Sequence, residues 1–279
     1  MRIAKLAKIL VSALLIAVMT ASICGCSKKS TSSEVSGEKT EIVVFAAASL
    51  TETLTELGDK YMAENENVDI IFNFDSSGTL KTQIEEGSNV DIFISAGQKQ
   101  MNQLDISASA DVNTEGLDFV LANTRIDILE NKVTLVVTEG NPADISSFDD
   151  MFDKLKSGSI MLAVGNSDVP VGQYTQMIFS YYGVSEDSEN ISCGSNVKEV
   201  TTQVNEAAVD CGIIYQTDAY SAGLKVVDTA SVDMCGQVIY PAAVMKSAKN
   251  VEAAKRFLEY LTEDEADKVF EAVGFTPIA

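Results

Sequence analysis

The chain contains no histidine and no tryptophan. Without histidine there is no Ser-His-Asp or Cys-His nucleophilic system, no His-Glu-x-x-His zinc site and no ordinary near-neutral general base. The lack of tryptophan weighs against an aromatic sugar-stacking cleft. Positive charge is scarce as well: 20 Lys and Arg stand against 41 Asp and Glu in 279 residues, a formal net charge of −21. So acidic a chain lacks the basic face that a nucleic acid partner requires. No Gly-x-x-x-x-Gly-Lys-Ser/Thr loop is present, so no nucleotide site is expected. What remains is 46% hydrophobic and 22% charged, enough to bury a core in one large domain or two ordinary ones. These absences favour a binding protein over most hydrolases.

Residues 1–25 read as a signal peptide. Arg2, Lys5 and Lys8 precede an apolar run from Ile9 to Met19 that is too short to span a membrane. The run ends in Ile23-Cys24-Gly25-Cys26, the form of a bacterial lipobox with cleavage before Cys26. Residues 26–40 are polar and rich in Ser and Lys, as a flexible tether would be. A diacyl group on Cys26 would hold the mature protein at a membrane surface. Three cysteines follow it, Cys193, Cys211 and Cys235, with no CxxC spacing. Buried free thiols are expected, with one Cys193–Cys211 or Cys211–Cys235 bridge as the extracellular alternative.

From residue 41 the pattern alternates. Glu41-Ile42-Val43-Val44-Phe45, Val68-Asp69-Ile70-Ile71-Phe72-Asn73-Phe74 and Asp91-Ile92-Phe93-Ile94 are apolar strand runs separated by helical spacing. The pattern restarts at Lys132–Val137 and continues through Ile160–Val164, Cys211–Tyr215 and Val238–Met245, with two closing helices over about 250–262 and 263–273. Continuous apolar strands between helices predict mostly parallel sheets covered on both faces, in an α/β fold. Ligands of such sheets sit where strands end and helices begin.

Four such junctions stand out. Ser49 with Glu52 predicts a capping box after Phe45-Ala46-Ala47-Ala48. Asp75-Ser76-Ser77-Gly78 is a hydroxyl-rich turn, and Pro170 suits the first position of a helix. Asn196 with Glu199 predicts a second capping box. Each helix start offers unpaired N–H groups and a positive dipole end, and none of the four turns carries a basic residue before its helix begins. If they converge, they form an anion site without cations; taken singly, each Ser or Asn is a plain helix cap. Tyr215 ends an apolar strand, from which its hydroxyl could face a cleft. The acidic groups at Asp149-Asp150 and Glu263-Asp264-Glu265 read as helix-start or solvated charges, and Asp91 as a strand-edge cap.

Five segments together carry a resemblance: Val44-Phe45-Ala46-Ala47-Ala48-Ser49-Leu50-Thr51, Asp91-Ile92-Phe93-Ile94-Ser95-Ala96, Val169-Pro170-Val171-Gly172-Gln173-Tyr174, Cys211-Gly212-Ile213-Ile214-Tyr215 and Gly274-Phe275-Thr276. In this order the chain resembles the molybdate-binding component of ABC importers, within the type II periplasmic binding proteins, over about residues 41–279. The resemblance implies two α/β lobes, each a mostly parallel sheet flanked by helices: residues 41–125 plus 239–279, and residues 126–238. It implies an oxyanion held by neutral donors alone, at Ser49, Ser77 (with Ser76 as the register alternative), Val171, Val197 and Tyr215. Asp75 and Val171 depart from the family's small neutral residues. No cofactor, no ligated metal and no reaction are implied. The expected ligand is molybdate or tungstate, and the expected partner an ABC permease with its ATPase. The expected form is a lipid-anchored extracytoplasmic monomer. Two other readings stay open: a type II binding protein for another oxyanion or small solute, and an extracellular hydrolase using paired carboxylates.

Overall fold

The computed structural model describes residues 39–185 and 188–279. Residues 1–25, expected to be a signal peptide, and Cys26 lie outside them. Of the tether only residues 39 and 40 are described, and Thr40 already begins the first strand.

The first lobe opens with strand β1 (Thr40–Ala47), a 3-10 turn (Ala48–Leu50) and helix α1 (Thr51–Glu64). Strand β2 (Val68–Asp75), helix α2 (Ser77–Glu85), strand β3 (Ile92–Ile94), helix α3 (Gln98–Leu104) and strand β4 (Ile126–Asn131) follow. After Lys132 the chain enters the second lobe through β5 (Val133–Val137), α4 (Phe148–Lys156), β6 (Leu162–Gly165) and α5 (Pro170–Tyr181). It continues with β7 (Ile191–Gly194), α6 (Val197–Asn205), β8 (Cys211–Tyr215), α7 (Gln216–Ala222), β9 (Lys225–Thr229) and α8 (Val232–Cys235). Strand β10 (Val238–Val244) returns to the first lobe, where α9 (Val251–Tyr260), α10 (Asp264–Val273) and β11 (Thr276–Pro277) end the chain.

The strands form two sheets, in the orders β11-β4-β10-β3-β1-β2 and β7-β6-β8-β5-β9. The parallel ladders expected from the βα repeats hold at β1 with β2 and β3, and at β6 with β7 and β8. Both sheets are mixed, because the strands that follow each crossing run against their neighbours: β5 is antiparallel to β8 and β9, and β10 to β3 and β4. The sheets divide the chain at Lys132. β4, expected in the second lobe, pairs with β10 and β11 in the first.

Burial follows the strand period of two. Ile42, Val44 and Ala46 of β1 join the larger core, and Phe45 on the opposite face packs with Leu80, Phe93 and Met101 in a smaller one. Both faces of the first sheet are therefore covered, which is why its central strands read as unbroken apolar runs. Helices α7 and α10 stop at Gly223 and Gly274, whose φ of 65° and 102° are left-handed values that a side chain disfavours.

Candidate ligand-binding site

Six chain segments meet between the two sheets around a small space. Ala47, Ala48 and Ser49 line it after β1, Asp75, Ser76 and Ser77 after β2, and Ala96 after β3. The second lobe contributes Val169, Pro170, Val197 and Tyr215. Ser49, Ser77, Val197 and Tyr215, four of the positions that the resemblance names, thus line one space. Val171 stands one residue behind the lining, fully buried at the second position of α5.

The expected capping box at Ser49 and Glu52 does not form. Ser49 lies inside the 3-10 turn, and α1 has no side-chain cap. The tight turn carries the Ser49 hydroxyl away from its own helix to the hydroxyl of Tyr240, 2.9 Å away. Glu52 instead reaches the second lobe, where its carboxylate lies 2.8 Å from Lys198 Nζ.

At the second turn the two serines divide the work. Ser76 caps α2 by accepting from the Thr79 N–H at 3.1 Å. That leaves Ser77, fully buried, whose Oγ accepts from the Ala96 N–H at 2.9 Å. Its own hydrogen is free to point elsewhere. Asp75 accepts from the Ser76 N–H at 2.7 Å and from the Asn196 amide of the second lobe at 3.4 Å.

In the second lobe, α5 begins at Pro170, which needs no N–H partner, so the next amides are the first of that helix to lack an intrahelical acceptor. Asn196 caps α6 by accepting from the Glu199 N–H at 3.0 Å. The return contact of the predicted box is displaced by one residue: Glu199 accepts from the Ser195 N–H at 2.7 Å. Tyr215 is the last residue of β8, and its hydroxyl donates to the Ala96 carbonyl at a long 3.3 Å. Burial pushes its hydroxyl well above the ordinary tyrosine range, so it stays a neutral donor.

No basic residue lines the space. The nearest cation by sequence, Lys198, is held by Glu52 and by Asp218, whose Oδ1 is 3.2 Å from its Nζ. Among the described residues no group of three His, Cys, Asp or Glu could hold a metal ion. Asp91 accepts from the backbone N–H groups of Val43 and Lys249 at 2.8 and 2.7 Å, a structural role in keeping with a strand-edge cap. The three described cysteines are free thiols. Cys211 and Cys235 are buried, with thiols pushed up to about 12 and about 11 by desolvation. Cys193, expected to be buried, is exposed on the edge strand β7.

Sequence reasoning missed Ala96 and Tyr240 as parts of the site. The small trio Ser95-Ala96-Gly97 at the end of a buried strand was the available sign for the first. Nothing local marks Tyr240, which meets Ser49 across 191 residues of chain.

Residues 42–276 match the model of the bacterial extracellular solute-binding proteins. The chain belongs to that family. It is 30% identical over 257 residues to YvgL of Bacillus subtilis, whose name assigns it provisionally to the substrate-binding lipoproteins of ABC transporters; the match covers 91% of this chain and 93% of YvgL. It is 31% identical to the molybdate-binding protein ModA of Haemophilus influenzae, over 85% of this chain and 90% of that one. The periplasmic molybdate-binding protein of Azotobacter vinelandii shares its fold, with a TM-score of 0.71 at 19% identity over 85% of this chain and all of the other. The two-lobe α/β architecture and the family drawn from the five segments are therefore borne out. Members of this family are transport binding proteins, so the chain is not an enzyme.

Proposed function

We propose that the protein captures molybdate, and tungstate with it, in the space between the lobes and delivers it to an ABC permease driven by an ATPase. The observation that carries this reading is the lining itself: the hydroxyls of Ser49 and Ser77, a neutral tyrosine and several helix starts surround a space that no cation lines, with Asp75 as its one acidic side chain. Such a cage stabilises a fully deprotonated dianion by hydrogen bonds and helix dipoles. Sulfate has the charge but shorter bonds and reaches fewer donors at once. Lipidation of Cys26 would keep the protein beside its permease, and a diacylglyceryl mass on that residue in the membrane fraction is the check.

The test is calorimetry of the purified protein against molybdate, tungstate, sulfate and phosphate. Molybdate and tungstate are expected to bind most tightly. At a thousandfold excess over the dissociation constant, molybdate should also raise stability by roughly 4 kcal/mol. A second reading rests on Asp75, a carboxylate in the lining that could accept the proton of hydrogen phosphate. Tighter binding of phosphate than of molybdate would select it.

A further inference from the structure

Behind Ser49 lies a chain of side-chain hydrogen bonds whose direction is fixed. It begins at Asn131, the last residue of β4, where the chain crosses between lobes. The Lys132 N–H donates to Asn131 Oδ1 at 2.8 Å, which sets which end of the amide is which. The amide nitrogen therefore donates its two hydrogens, one to Thr217 Oγ1 at 3.0 Å and one to Tyr240 Oη at 3.1 Å. Tyr240 is fully buried. Its oxygen already accepts from Asn131, and among the described residues its one remaining partner is Ser49 Oγ at 2.9 Å. If Ser49 were the donor, the buried phenol hydrogen would have no acceptor, the costly arrangement. Tyr240 is therefore the donor, and Ser49 receives a hydrogen from behind.

We propose that Asn131 and Tyr240 are positioning residues that commit the Ser49 hydrogen to the ligand and so set a preference for oxyanions that carry no proton. The inference rests on reading the interlobe space as an oxyanion site. A serine that accepts from Tyr240 has its own hydrogen left for the space it lines. An unprotonated oxygen meets it with a lone pair. A protonated oxygen would have to present its hydrogen to another group. Ser77 is committed in the same sense by the Ala96 N–H, but that donor is backbone and cannot be removed by substitution. The Asn131–Tyr240 relay can be. Burial raises the Tyr240 hydroxyl well above its ordinary range, so the relay keeps its hydrogen in any physiological medium.

Two variants test this. Tyr240→Phe removes the donor behind Ser49, whose hydroxyl is then free to rotate and accept. Asn131→Asp keeps the acceptor for the Lys132 N–H but cannot donate, so Tyr240 turns its hydrogen to residue 131 and takes that of Ser49. Calorimetry with molybdate and with inorganic phosphate is done at mildly alkaline pH, where phosphate is the singly protonated dianion. Equal ligand charge cancels the repulsion that the new carboxylate adds. The readout is the ratio of the two affinities, with apo melting recorded alongside. The ratio should fall in both variants, more in Asn131→Asp, where one charge-assisted bond is reversed and the change should be about 10- to 150-fold. A ratio unchanged in both, or molybdate and phosphate weakened alike, overturns the relay. Should the wild type prefer sulfate, the molybdate reading has failed in that titration alone, and sulfate then serves as the unprotonated arm for the relay.

Discussion

The hydroxyl of Ser49 meets a buried phenol instead of the backbone of its own helix, and this changes what its removal should do. Ser49→Ala takes no cap from α1. It leaves the Tyr240 hydrogen without an acceptor, at a cost of about 1–3 kcal/mol in apo stability. It also removes one donor to a charged ligand, so molybdate binding should weaken by roughly 10- to 150-fold. Tyr215→Phe differs, because its hydroxyl makes only the long bond to the Ala96 carbonyl. Its apo stability should stay near wild type while binding weakens over the same range. Urea unfolding and calorimetry of the two variants separate the effects. Asp218 is a residue of another kind: it is fully buried, and desolvation lifts its carboxyl to about 6 in spite of the Lys198 ammonium. A carboxyl raised on folding contributes stability that is complete below its unfolded pKa and is lost as the pH rises through the folded one. The stability of wild type relative to Asp218→Asn should therefore fall between about pH 4 and 6, by an amount of order 3 kcal/mol. A difference that stays flat across that window, measured by urea unfolding, would contradict the assignment.

Helix α2 shows how one element separates a cap from a donor. Ser76 closes the helix start and Ser77 turns inward, one residue apart. Ser76→Ala should lower stability by about 1 kcal/mol with a small effect on binding. Ser77→Ala should weaken molybdate binding by at least about tenfold. The reverse pattern would restore the alternative register. The turns themselves were legible in the sequence, because β1, β6 and β8 are largely buried apolar runs and β2, though an edge strand, is rich in Ile and Phe, and the residues that follow or close them are small or carry hydroxyls. Strands β4, β7 and β9 were not. Ile126–Asn131 alternates polar and apolar residues, and the other two are short edge strands with exposed positions, so none forms an apolar run. The capping box at Ser49 was misread because its spacing is local, whereas the contact that wins is made by β10 from the far end of the chain. Asn131 and Tyr240 escaped for the same reason. A hydrogen-bond chain among residues far apart in sequence leaves no period in any of the segments it joins.

At the scale of the molecule the two lobes touch through backbone. A Cβ on Gly78 of α2 would lie 2.1 Å from the carbonyl oxygen of Asp168, in the loop that leads to α5. Gly78→Ala should hold the lobes apart without disturbing either core. An overpacked contact of this kind costs about 1–3 kcal/mol, or roughly five- to 150-fold in affinity. Small-angle scattering of the molybdate-loaded variant should show a larger radius of gyration than the loaded wild type, and equal radii would refute the closure role. Glu52, Lys198 and Asp218 also join the lobes, through α1, α6 and α7. That clasp ties up Lys198, the cation next in sequence to Val197, which bears on how a ligand arrives. A dianion must approach a molecule of net charge −21 and enter a space lined by no cation. Long-range repulsion slows such encounters, and salt relieves it over a Debye length of about 8 Å at physiological ionic strength. Association should therefore quicken as salt is added, while departure from the enclosed donors stays nearly constant. Stopped-flow rates would show a binding protein that captures its ligand faster in brine than in dilute buffer, the reverse of a site steered by arginine or lysine.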